Sequence, residues 1–169
     1  MKSSANMAMR RIIPKTMRFL FVDRILDMAP GRSIEAEHVI SGSEDFFRDH
    51  FPGFPVVPGV LLTEMMGQAA AMCLDAESRG SGRGKAMLAQ IRSASFRDWV
   101  RPDETATIKA EIRSSRAEVA TAACWVEVEG RRVCSAELLF TFLPFDQFAP
   151  GYRDEALESF LASRGRGKG

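Results

Sequence analysis

His50 and Glu64, fourteen positions apart, are the two side chains whose types and surroundings suit proton transfer. An unperturbed imidazole titrates near pH ~6.5, so it can accept and return protons at cellular pH. His50 opens the stretch His50-Phe51-Pro52-Gly53-Phe54-Pro55-Val56-Val57-Pro58-Gly59, in which three prolines and two glycines constrain the backbone. A catalytic group needs such a fixed mount; a loop histidine used only for hydrogen bonding is the plainer reading. Glu64 stands within an apolar run. A carboxyl there must be paired, hydrogen-bonded or protonated, and burial favours the protonated form that a general acid needs. Gln68, one helical turn on, is placed to hold that carboxyl, whereas a lysine or arginine from a neighbouring strand would make Glu64 merely structural. Gly59 adds a third element. At a helix N-terminus it leaves backbone N–H groups open to a substrate carbonyl, an oxyanion-type site, although loop geometry alone also calls for glycine.

The elements that must position these groups follow from periodicity. Gly59 to about Glu77 consists mostly of strong helix formers, and its apolar residues wrap nearly the whole surface, so this helix must be surrounded by protein. Strand patterns begin at Phe19-Leu20-Phe21-Val22 and continue to about Met28. Another covers Ile34–Ile40, with strict alternation. Four more follow the helix: Ala86–Phe96, Thr105–Ile112, Val119–Val128 and Val133–Phe142, with Glu129-Gly130-Arg131 as a hairpin tip. The residues Ser78–Lys85 read as a flexible basic loop. Strands, one long buried helix and then a strand meander are satisfied by a curved antiparallel sheet wrapped around the helix. One such sheet hides only part of the helix, so a second copy of the chain is the expected cover.

Residues 1–17 read as a flexible N-terminal segment, 18–145 as the single folded domain, and 146–169 as a tail. Within the tail, Asp154–Ser163 is helical, with Leu157, Phe160 and Leu161 on one side, and the end is disordered. Lys+Arg is 23 and Asp+Glu is 22, a balance that gives no reason to expect nucleic-acid or membrane binding. No apolar stretch of secretory length follows the basic N-terminus, and the run Val60–Leu74 is broken by Thr63, Glu64, Gly67 and Gln68. A soluble cytoplasmic protein is the expectation. Cys73, Cys124 and Cys134 have neither metal-ligand spacing nor a disulfide framework and read as buried free thiols.

The residues Phe21-Val22-Asp23-Arg24, Phe46-Phe47 with His50 through Gly59, and Glu64 through Gln68-Ala69-Ala70 resemble the FabZ-type (3R)-hydroxyacyl-acyl-carrier-protein dehydratases of the FabA/FabZ-like group. The likeness continues in Ala94-Ser95-Phe96-Arg97 and Val100-Arg101-Pro102-Asp103, and spans about residues 18–143. It implies an α+β hot-dog fold and dehydration of a carrier-bound 3-hydroxyacyl chain to the trans-2-enoyl product. His50 would take the proton beside the thioester, and Glu64 of the other subunit would protonate the departing hydroxyl. The Gly59 N–H would hold the thioester carbonyl, and the Val56 carbonyl would orient the His50 ring. Phe54, Leu62, Met66 and Met87 would line an acyl tunnel at the interface of a homodimer, which could assemble further as a trimer of dimers. Lys85, Arg97 and Arg101, with Arg79 and Arg83 nearby, would meet the acidic carrier protein. No metal or organic cofactor is implied. The tail after Pro144 is longer than in most relatives of this kind. Two other readings use the same helix: a hot-dog acyl thioesterase, which gives His50 no task, and a non-catalytic subunit that only binds the acyl carrier protein.

Overall fold

The computed structural model describes residues 19–148 and 152–165. Among these residues are six strands: β1 (Arg24–Ala29), β2 (Ser33–Val39), β3 (Lys85–Phe96), β4 (Thr105–Ser115), β5 (Val119–Val128) and β6 (Arg131–Leu143). Two helices accompany them, α1 (Gly59–Ser81) and α2 (Glu155–Gly165), and a single 3-10 turn covers Asp45–Arg48. The strands form one sheet in the order β1-β2-β4-β5-β6-β3, and every neighbouring pair is antiparallel. The expected residues 1–17 segment and the extreme C-terminus lie outside the described residues.

Alternation decides which face of the sheet closes on α1. Every second residue of β5 is buried, and the inward rows of the central strands mix large side chains such as Ile108, Leu138 and Phe140 with small ones: Ala106 and Ala110 on β4, Ala120 and Ala122 on β5, Ala136 on β6. Small residues there let the 23-residue α1 approach closely, with Met65, Met66, Ala69, Ala70 and Cys73 filling the concavity at zero exposure. Close packing of this kind ties sheet curvature to helix position. The result is the curved sheet around a central helix that the hot-dog fold requires.

Several boundaries differ from the sequence reading, β4 for one extending past Ile112 to Ser115. The first strand begins at Arg24 rather than Phe19, because Phe19 and Phe21 bond to a glutamine side chain on α1 instead of to a strand. The last strand takes in the hairpin-side residues Arg131 and Arg132 and runs from Arg131 to Leu143. α1 continues to Ser81 because its stop signal is Gly82, in the left-handed region at φ 70°, whose N–H bonds to the Ser78 carbonyl at 2.8 Å. The basic stretch after it is not a free loop. Arg83 lies 3.6 Å over the Phe142 ring, and Gly84, at φ +115°, passes so close to the Leu143 carbonyl that a Cβ would sit 2.3 Å from it. The strands after α1 also depart from a pure meander. β4, β5 and β6 are successive neighbours, but β3 lies at the far edge beside β6, since α1 carries the chain across the sheet face before β3 begins.

The tail carries the helix α2. Leu157 is fully buried, Phe160 and Leu161 pack against the core, and α2 rests on β1. The three cysteines are free and buried. Burial pushes their thiols up to about 11 for Cys73, about 12 for Cys124 and about 11 for Cys134, too high for thiolate chemistry at neutral pH. Among the described residues, no helix is long and apolar enough to cross a membrane.

Candidate active site

The His50 loop is a series of tight local turns. The Asp49 and His50 N–H groups both bond to the Phe46 carbonyl, at 3.3 and 3.0 Å, at the end of the 3-10 turn. Phe51 and Phe54 exchange backbone hydrogen bonds at 3.3 and 2.8 Å around Gly53, and the His50–Phe51 peptide is cis. The Val57 N–H then bonds to the Val100 carbonyl at 2.8 Å, pinning the loop to the segment after β3. Within this frame, His50 Nδ1 lies 3.2 Å from the Val56 carbonyl oxygen. A carbonyl only accepts, so Nδ1 carries the proton and Nε2 keeps its lone pair. The ring is thereby held in the tautomer of a base. The other histidine, His38, is absorbed by structure: it is buried on β2, with Nδ1 3.0 Å from the Asp23 carboxylate.

His50 borders a cavity of about 500 Å³ together with Val56, Gly59, Leu62, Phe96 and Trp99. The start of α1 forms one wall. Its N-cap is Pro58, with no side-chain cap, and the N–H groups of Leu61 and Leu62 both bond to the Pro58 carbonyl. The donors of Gly59 and Val60 have no such acceptor among the described residues, so the positive end of the helix dipole is open to a ligand. Gly59 is closely approached here, for a reason the sequence did not show. A Cβ on it would meet the Phe96 ring at 3.1–3.3 Å, so the aromatic ring, rather than empty space, borders the helix start.

Glu64 lies further along the same helix and opens into a different cavity, of about 330 Å³. It is half-buried rather than enclosed. Gln68 Nε2 donates to Glu64 Oε1 at 3.0 Å and to the Phe19 carbonyl at 2.8 Å, while Gln68 Oε1 accepts the Phe21 N–H at 2.8 Å. The glutamine is therefore clamped by the chain before β1 and passes its rigidity to the carboxyl. With Oε1 accepting an N–H, Oε2 is the oxygen free to carry a transferable proton. No lysine or arginine ion pair to Glu64 occurs among the described residues.

The structure gathers most of the anticipated residues but sorts them into two groups. Val56, Gly59 and Leu62 stand with His50, and Phe54 flanks the mouth of that cavity, its ring 6.0 Å from Trp99. Gln68 and Met87 stand with Glu64. Met66 joins neither: it is fully buried beneath the sheet, because its position on α1 faces the concavity. Arg97 lines the His50 cavity and is exposed, and the Arg101 guanidinium lies 5.9 Å from the Phe54 ring centroid. Lys85 borders the Glu64 cavity rather than the His50 one. It forms a short ion pair with the buried Asp75 of α1. Burial works against its charge, but the charge and hydrogen bond of Asp75 outweigh that and hold its pKa above the ordinary lysine value. A lysine so engaged is not available as a docking cation. Arg79 and Arg83 are likewise turned to Glu158 and Glu77.

Sequence reasoning missed Trp99 and Phe96 beside His50, and Tyr152 beside the Glu64 cavity. Trp99 carried a usable signal: a tryptophan among Arg97, Asp98 and Arg101 is poorly suited to a core. Tyr152 carried none, since nothing local tells that the tail folds back.

The sequence matches the FabA-like domain over residues 13–137. The 3-hydroxyacyl-acyl-carrier-protein dehydratase FabZ of Oenococcus oeni is 34% identical over 131 residues, 78% of this chain and 94% of that relative. FabZ of Staphylococcus carnosus is 35% identical over 131 residues, 78% of this chain and 90% of its own. Among solved structures, the dehydratase heterocomplex ApeI:P from Xenorhabdus doucetiae is similar with a TM-score of 0.60, 12% identity, and coverage of 89% of this chain and 95% of that one. A hypothetical thioesterase protein with coenzyme A from Streptococcus pneumoniae gives 0.57, with 14% identity and coverage of 72% and 86%. At such identities these structures speak to the fold, which is shared by both names and does not choose between the two chemistries.

Proposed function

Because the chain belongs to the FabA-like family, we propose that it dehydrates (3R)-hydroxyacyl chains carried on acyl carrier protein to trans-2-enoyl chains, in fatty-acid or specialised lipid biosynthesis. The observation that carries the mechanism is the Nδ1 contact of His50 with the Val56 carbonyl, which leaves Nε2 as a fixed base. His50 Nε2 removes a proton from the carbon beside the thioester. The electron pair released forms the new carbon–carbon double bond, the carbon–oxygen bond breaks, and Glu64 gives its proton to the departing hydroxyl, which leaves as water. Charge that builds on the thioester oxygen meets the N–H groups at the start of α1. The His50 proton then returns to Glu64, directly or by exchange of one proton each with solvent, and the site is restored. A thioesterase would leave His50, with its backbone-set tautomer, without a role. Arg97 and Arg101, beside the His50 cavity, are the cations we assign to carrier-protein docking.

The same reading includes a cytoplasmic homodimer with shared sites. His50 and Glu64 border separate cavities of one chain, and the edge strand β3 is exposed along nearly its whole length. Val60 at the helix start is 75% exposed, and Ile91 and Phe96 of β3 are also uncovered. A two-fold copy paired along β3 would cover this apolar surface and bring the Glu64 of one protomer to the His50 of its partner.

Mixing two inactive variants tests both parts at once. His50→Ala and Glu64→Gln homodimers should each be inactive in enoyl-thioester hydration. Unfolded and refolded together, they should regain about a quarter of wild-type activity, since half the dimers would hold one intact site of two. No regain, with heterodimers demonstrated by native mass spectrometry, would refute the shared site.

A further inference from the structure

The family match ends at residue 137, yet the tail beyond it returns to the Glu64 cavity. That cavity has two unlike ends. Glu64 and Gln68 stand at one, and Lys85, Tyr152 and Asp154 at the other, with Met72 and Met87 among the apolar residues between. The polar end is already satisfied from within. Lys85 is paired with Asp75, whose second oxygen accepts the Ala86 N–H at 2.8 Å. The Lys85 ammonium lies 5.1 Å from the Tyr152 ring centroid. Asp154 is buried and accepts the Leu157 N–H at 3.1 Å at the start of α2, and the fully buried Leu157 anchors the segment.

Resting on the dehydratase reading, we propose that the tail is a stopper. Tyr152, backed by the Lys85–Asp75 pair, closes the far end of the acyl cavity and limits the substrate to short and medium chains. A chain end pressed against a satisfied ion pair strips away its surroundings and returns nothing. Asp75 follows Glu64 by eleven residues, about 16 Å along the helix. The Lys85 and Tyr152 side chains take up part of that length. With carbon–carbon bonds of ~1.5 Å in a zigzag, room remains for about ten carbons. The volume of about 330 Å³ lies at the small end of the ~300–1,000 Å³ typical of ligand cavities.

Saturated acyl-pantetheine thioesters of about four to sixteen carbons, which cannot be hydrated or dehydrated, serve as calorimetric probes of the full-length protein. Wild-type affinity should rise about fourfold per added methylene and break near ten carbons. Tyr152→Ala should move the break at least two carbons longer, and Tyr152→Trp should move it shorter. Tyr152 is 44% exposed, and circular dichroism would check the fold of each variant; if one misfolds, the other and the wild-type profile decide. A wild-type rise that continues through sixteen carbons, or the same break in every folded variant, overturns the stopper. Enoyl hydration measured alongside separates the two readings. Binding with a break but no turnover at any length refutes the dehydratase and leaves the stopper standing, whereas turnover without a break refutes the stopper alone.

Discussion

His50 makes its own hydrogen bonds to residues close to it in the chain, the carbonyl of Val56 six positions on and that of Phe46 four before, while the Val57 N–H ties its loop to Val100. Glu64 takes its position through Gln68, which is held by Phe21 and Phe19, 47 and 49 positions earlier. One half of the proposed site is thus set by a stiff local loop, and the other by packing of the chain before β1 against α1. A local mount loses little when its side chain is removed. A long-range clamp joins two parts of the fold, so removing it weakens the fold as well as the site.

The largest effect separates chemistry from folding. His50→Ala and Glu64→Gln should each lower kcat by about 10²–10⁴-fold, measured by enoyl-thioester hydration. His50→Ala should leave stability within about 0.5 kcal/mol in urea unfolding. A His50→Ala enzyme within threefold of wild-type kcat would remove the histidine from the mechanism.

An intermediate effect tests the clamp. Gln68→Leu leaves the Phe21 N–H and the Phe19 carbonyl without their side-chain partner, and should cost about 1–3 kcal/mol in stability. Activity should fall with it, because Glu64 loses its support. If Gln68→Leu proves as stable as His50→Ala, the contrast between local and long-range mounting fails.

The smallest effect lies outside both cavities and serves as a control on pH. Glu127 on β5 bonds to Lys109 of β4 at 3.0 Å and accepts the Trp125 Nε1–H at 2.9 Å. Burial pushes its carboxyl up, but these hydrogen bonds and the Lys109 charge outweigh that and hold it below the usual 4.5. Its folded value is depressed, so its contribution is present above pH 4.5 and disappears as pH falls through the folded value. Lys109→Met should remove less than about 1 kcal/mol at neutral pH. It should also flatten the fall of Tm below pH 4.5 without changing the pH profile of turnover.

Local chemistry made much of this protein legible in its residues alone. The alternation of β2 and β5 and the apolar wrap of α1 specified strands and a buried helix, because side-chain period follows backbone geometry. The proline- and glycine-rich path from His50 to Gly59 marked a rigid loop, and the four-residue spacing of Glu64 and Gln68 anticipated their hydrogen bond. Other features were settled only by contacts between distant segments. Lys85 had the look of a surface cation until Asp75, ten positions back, was brought against it. Met66 could as well have faced a tunnel as the sheet, and the strand order decided. Phe96 crowds position 59 from a strand that begins 26 residues later. Tyr152 reaches the Glu64 cavity because Leu157 buries itself in the core and draws the tail back. Periodicity records the face a residue turns inward, and tertiary packing alone determines what it meets there.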